Sequence, residues 1–222
     1  MNKSKQKQKS SELILLPRGY LSNSQYDKWH SDRKGYINEY FKGIKNEREN
    51  DFMTFGKKVA LYIEKGEFAD DPVIVFAANF LPRRGHAEHE QRTTLKTAYG
   101  DIQLLGRFDD FDPETIEVFE HKTGKTKWTE ARVKKHGQLK FYSVMCSNEY
   151  DVLPKFELNW VETTKTDENG NPLSKVRPTG HTDTFHCQHT QSEVEEMKRD
   201  IINTCIEIDK EYRAYLKSLE TF

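Results

Sequence analysis

The stretch GRFDDFDPETIEVFEHKTGK, Gly106 to Lys125, places six carboxylates within twenty residues and closes on Glu120-His121-Lys122-Thr123-Gly124-Lys125. Segments 103–112 and 116–122 read as two strands of a hairpin with Pro113-Glu114-Thr115 in the loop. In the natural register Asp112 faces Glu117 and Asp109 faces Glu120; a slip of one residue would put Asp110 in place of Asp109. Side chains alternate along a strand, so Glu120 and Lys122 share one face and His121 takes the other. Like charges opposed across a sheet destabilise it unless a cation sits between them. Carboxylate oxygens suit a hard divalent cation, Mg²⁺ or Mn²⁺, better than zinc. Such an ion, with a lysine beside the attacking water, is the chemistry of phosphodiester hydrolysis. The plainer reading, equally open on spacing alone, is a charge-rich surface hairpin in which Lys122 screens Glu120.

Outward from this hairpin the chain reads as a mixed α/β protein. Before it, 21–44 has Tyr26, Trp29, Tyr36, Ile37, Tyr40 and Phe41 at broadly helical spacing, with Ser22 or Ser24 as N-cap. A second helix over 51–67 has Phe52, Phe55, Val59, Tyr62 and Ile63 on one side, and the apolar run 70–85 fits either a strand or a short helix. Strands over 86–98 and 101–112 pair around Gly100-Asp101. After the hairpin, 129–150 reads as one helix capped by Thr129. A second hairpin, 155–165 with 174–188, turns at Asn169-Gly170-Asn171. The end, 190–220, reads as a long helix capped by Thr190 or Ser192, with an apolar stripe from Val194 to Leu219. That stripe docks on the protein's own core or forms a contact between two copies of the chain.

Length and composition allow one domain over 12–222 behind a lysine-rich disordered tail, 1–11. A net charge of −1 gives no global attraction to nucleic acid, so any DNA affinity has to come from a local basic surface. Cys146, Cys187 and Cys205 are far apart with no CxxC pair, which fits a reduced, cytoplasmic protein and excludes a four-cysteine cluster. No apolar run approaches membrane-spanning length, and the N-terminus lacks the apolar centre of a signal peptide.

Gly106-Arg107-Phe108-Asp109, then Glu120-His121-Lys122 followed by Thr123-Gly124-Lys125, then Gln138-Leu139-Lys140-Phe141-Tyr142 on the next helix, resembles the PD-(D/E)XK nuclease superfamily, and its RecB-like exonuclease branch in particular. The resemblance covers residues 88–142 by motif and extends more loosely to the opening LSNSQ and the closing hairpin and helix. It implies a restriction-endonuclease-like core, a mixed central sheet flanked by helices, and a Mg²⁺- or Mn²⁺-dependent deoxyribonuclease; relatives that hold an iron–sulfur cluster need four cysteines, and the three here predict no cluster. DNA ends are the implied substrate, in phage or bacterial recombination or repair, with a recombination or replication protein as partner. Carried over by position, Asp109 and Glu120 would hold metal, joined by the His121 carbonyl and by an acid of the preceding strand, Glu88 or Glu90. Lys122 would be the catalytic lysine. Gln138 and Tyr142, one helical turn apart, would line the site's edge. Lys125, Lys127, Arg132, Lys134 and Lys135 are the candidate phosphate contacts, or else a solvated face. One departure stands out: where many relatives have GxxxH on an early helix, Gly56 is followed by Ala60. Two rival readings are a catalytically inactive nucleic-acid-binding module with this fold and a sequence-specific endonuclease.

Overall fold

Polar side-chain caps set where most of the helices begin. In the computed structural model, which describes residues 14–45, 50–82 and 89–220, Ser22 Oγ accepts the Gln25 N–H and starts α1 (Asn23–Ser31) directly after the short strand β1 (Leu21–Ser22). The tail 1–11 and Glu88 lie outside the described residues. The helix expected through 44 is interrupted at Asp32, whose carboxylate takes the Gly35 N–H at 2.9 Å and starts α2 (Arg33–Tyr36). A π-helical turn, Ile37–Phe41, continues it. Asn50 caps α3 (Asp51–Lys65), which ends on Gly66 at φ 72°, the left-handed conformation that glycine adopts without strain. The ambiguous apolar run is helical. Asp71 caps α4 (Pro72–Ala78), with Pro72 in the first turn, where its missing N–H costs nothing.

Strands β2 (His89–Thr97) and β3 (Gly100–Phe108) form the expected antiparallel hairpin, and β1 lies parallel to the other edge of β3. β4 (Asp110–Asp112) pairs with β5 (Glu117–Gly124) with Asp112 opposite Glu117, the register read from the sequence. β6 (Lys155–Thr166) runs parallel to β5, and β7 (Pro172–Cys187) antiparallel to β6. Both ladders are mixed, β1-β3-β2 and β4-β5-β6-β7. The expected central sheet is thus two ladders that meet at Asp109, the single residue between β3 and β4. Phe108 and Phe111 both enter the main core, their rings 5.4 Å apart, although residues three apart in a regular strand face opposite ways. The alternation therefore slips at the junction.

The parallel β5–β6 pair requires a crossover, and it contains α5 (Glu130–Lys134) and α6 (Gly137–Tyr150) rather than one helix. Thr129 caps α5 as expected. The break falls at His136, where Trp128 packs edge-on against the imidazole (5.0 Å) and Arg132 lies over the indole (3.9 Å), and glycine at 137 adds a weak helix former. Thr190 and Glu193 form a capping box that opens α7 (Gln191–Leu219). One apolar cluster joins α1, α6, α7 and the inner faces of both ladders. A second, smaller one joins α3 and α4 to Val161 and Val176 on the far side of β6 and β7. Of the α7 stripe, Val194, Met197, Ile201, Cys205 and Ile208 are buried in the main core, and Tyr212 and Tyr215 pack on Phe41.

At Gly106 the buried Met145 side chain of α6 packs against β3: a Cβ there would lie 2.8 Å from Met145 Sδ. Gly106→Ala is expected to cost about 1–3 kcal/mol by overpacking, or ~2–4 °C of melting temperature per kcal/mol. Thermal denaturation of both proteins checks this; an unchanged melting temperature contradicts the close approach.

Candidate active site

The strand slip at Asp109 and the α6 crossover bring the motif residues together. Asp109 Oδ2 accepts the backbone N–H of His121 at 2.7 Å, which ties the junction to β5 and places Asp109 beside Glu120. Glu120 is 2% exposed. Its Oε1 accepts from Lys122 Nζ at 2.5 Å, while its Oε2 is buried with no hydrogen-bond partner. Lys122 Nζ also donates to Gln138 Oε1 (2.8 Å), Gln138 Nε2 donates to the Tyr142 hydroxyl (2.8 Å), and that hydroxyl donates to the Arg107 carbonyl (2.5 Å). A continuous polar chain thus runs from Glu120 through Lys122, Gln138 and Tyr142 to the backbone of the Gly106–Asp109 segment.

Burial and the charge of Asp109 push the Glu120 carboxyl up to about 7, against the pull of Lys122. Burial alone would lower the Lys122 pKa, but Glu120 and Asp109 outweigh it and hold the amine above the usual lysine range. Lys122 is therefore an ammonium at neutral pH. Burial, with Glu120 adding to it, keeps the Tyr142 phenol protonated, as its donor role requires. Half-buried Asp109 and fully buried Glu120 share one ammonium in a poorly solvated place. That arrangement and the unpartnered Glu120 oxygen fit a divalent cation.

The other sequence candidates lie around this centre. The His121 ring is on the opposite strand face, with Nε2 buried and unpartnered. Glu90 stands across the β2–β3 ladder from Arg107, and its oxygens engage Arg92 and Arg107. Lys125, Lys127, Lys134 and Lys135 are exposed, with Lys127 lying 3.6 Å from Asp183. Arg132 braces the segment before α5, donating to the carbonyls of Thr126 and Lys127. A Cβ on Gly56 would lie 2.8 Å from Thr123 Oγ1, so α3 passes against β5, with Ala60 one turn further on and exposed. Among the described residues, one group of three metal-ligating side chains, Glu117, Glu157 and His186, has ligand atoms within 4.8 Å of one another, on the strand face away from Glu120.

Two participants were not singled out from the sequence. Arg107 supplies the carbonyl that ends the polar chain, and its place inside the Gly106–Asp109 segment was the available signal. His136 occupies the position before the first turn of α6, two residues before Gln138, without a side-chain cap bond. Burial and the nearby Lys122 and Arg132 charges push its pKa down to about 4, leaving a neutral ring next to the ammonium; only the three-dimensional contact with Trp128 reveals it.

The family model of the PD-(D/E)XK nuclease superfamily matches residues 10–215. No curated protein matches the chain. Among solved structures, the chain is similar to a Eubacterium rectale protein provisionally described as an exonuclease, at 14% identity and TM-score 0.55, covering 93% of this chain and 88% of that one. It is more distantly similar to SSO0001, also at 14% identity, with TM-score 0.42 and coverage of 84% and 75%.

Because the Glu120 pKa is raised on folding, its contribution to stability is full below the unfolded value of 4.5 and is lost as pH rises through about 7. In chelator-treated protein, Glu120→Gln is expected to flatten the fall in melting temperature over that window. Equal slopes for the two proteins between pH 4.5 and 7.5 contradict the assigned burial.

Proposed function

The chain belongs to the PD-(D/E)XK nuclease superfamily, and from that premise we propose that it is a metal-dependent deoxyribonuclease that digests DNA from its ends during recombination or repair. The observation that carries the proposal is the buried, unpartnered Oε2 of Glu120 beside Asp109, with the Lys122 ammonium on the other oxygen. Asp109 and Glu120 would hold the ion, and an all-oxygen donor set favours Mg²⁺ or Mn²⁺. When bound, the ion supplies Lewis-acid polarisation of the scissile phosphate and acidifies a water ligand.

The chain's own residues do the rest. Lys122, as an ammonium, is an orienting and charge-stabilising group and not a resting-state base. It stabilises the negative charge that develops as water attacks phosphorus in line. Gln138 holds the ammonium from the side opposite Glu120, and Tyr142 holds Gln138 while anchoring the Arg107 carbonyl. The two together fix Lys122 relative to Asp109. Lys125, Lys127, Lys134 and Lys135 present an exposed basic flank that would follow the phosphate backbone. Hydrolysis leaves no covalent enzyme intermediate, since the attacking group is water.

End-labelled single-stranded, linear duplex and closed circular DNA, incubated with Mg²⁺, Mn²⁺ or EDTA, test the reading. Linear DNA is expected to be lost with either metal, to survive in EDTA, and to survive with Lys122→Ala, which should slow cleavage by ~10²–10³-fold or more. Circular duplex should persist. Cleavage of circles at discrete positions would establish an endonuclease instead, and intact substrates under every condition would favour a binding module.

A further inference from the structure

The outer side of the β2–β3 ladder carries a charged cluster next to the catalytic segment. Arg92 donates through Nε and Nη2 to Glu90 Oε1 (3.1 and 2.9 Å), and Arg107 Nη2 lies 3.4 Å from Glu90 Oε2. Arg92 and Arg107 keep 58% and 64% of their side-chain surface exposed, so the fold does not bury them. Ion pairs this exposed add little to stability, which leaves their placement to be explained. Arg107 is two residues from Asp109, a span of ~7 Å along an extended chain. Its backbone is also the end point of the Lys122–Gln138–Tyr142 chain, so the fold fixes the base of this side chain together with the catalytic lysine. Arg92 is steadied on its other side by the Tyr20 ring, 5.4 Å from its guanidinium.

We propose that Arg107 and Arg92 form a phosphate clamp for the DNA strand that carries the scissile bond, with Glu90 as a positioning residue that holds the two guanidiniums and not as a metal ligand. This rests on the nuclease reading above and assigns a substrate contact that the Gly106–Asp109 motif does not contain. Three groups with a net positive charge stand in a row beside the site, and guanidinium is the group whose planar donors match phosphate oxygens. A phosphate one step along from the scissile one would be met by the two exposed guanidiniums while Glu90, bound to both, keeps their spacing. The clamp is separate from the lysines in and around α5, so the strand would meet two groups of cations.

The test separates binding from cleavage. Affinity of the full chain for a short fluorescein-labelled DNA oligonucleotide is measured in EDTA over a range of salt, for wild type, Arg107→Ala, Arg92→Ala and Glu90→Gln. Each arginine variant is expected to bind about tenfold more weakly and to lower the slope of log affinity against log salt by about 0.7–0.9. The melting temperature should stay close to wild type, since ion pairs this exposed add little to stability. Glu90→Gln should leave the metal concentration for half-maximal activity unchanged. Unaltered affinity and salt slope in both arginine variants would overturn the clamp, and a Glu90→Gln protein rescued by added Mn²⁺ would return Glu90 to the metal. Because affinity is read without metal, a clamp that holds in a protein unable to cut DNA would refute the nuclease reading alone.

Discussion

The structure depends on one electrostatic constraint: Glu120 is buried beside the Asp109 carboxyl group, with the Lys122 ammonium against it. A fold built only for stability would replace such a group with an apolar one, because desolvating a charge costs more than a single pair returns. Here the surroundings are arranged to keep it. Gln138 and Tyr142 hold the ammonium, the Arg107 carbonyl holds Tyr142, and the His121 N–H holds Asp109. Three separate sequence motifs are therefore one hydrogen-bonded unit. The close packing at Gly106 and the crossover through α6 exist to bring its parts into register.

Much of this was legible in the residues because the relevant physics is local. Alternation and the Pro113 loop gave the Asp112–Glu117 pairing, and helical spacing placed Gln138 above Tyr142. The junction at Asp109 was not legible: Asp109 and Asp110 are both acids, and only the packing of Phe108 and Phe111 on one side forces the alternation to slip between them. The break between α5 and α6 follows from Trp128, Arg132 and His136 meeting in space, which a window of sequence does not contain. The interruption of the first helix was closer to the surface of the sequence, since Asp32 with Gly35 is a capping pair. For α4, length and hydropathy were ambiguous, and the cap at Asp71 with Pro72 after it decided the matter.

Glu90 shows how a side chain's role changes once its partners are visible. As a sequence position it is an acid on the strand before the motif. In the fold it lies directly across from Arg107 and between two guanidiniums. Ala60, where many relatives have a histidine, is on a helix that does pass β5, so the helix is in place and the histidine is not. In the proposed reading Asp109 and Glu120 would then supply most of the donor set, which makes the unpartnered Glu120 oxygen the more telling feature.

Anomalous diffraction from crystals grown with Mn²⁺ tests the central claim most directly, because it locates the ion without reference to activity. A peak is expected between the Asp109 and Glu120 carboxylates and is expected to be absent in Glu120→Gln. No peak there, or a peak confined to Glu117, Glu157 and His186 on the opposite face of the sheet, would contradict it.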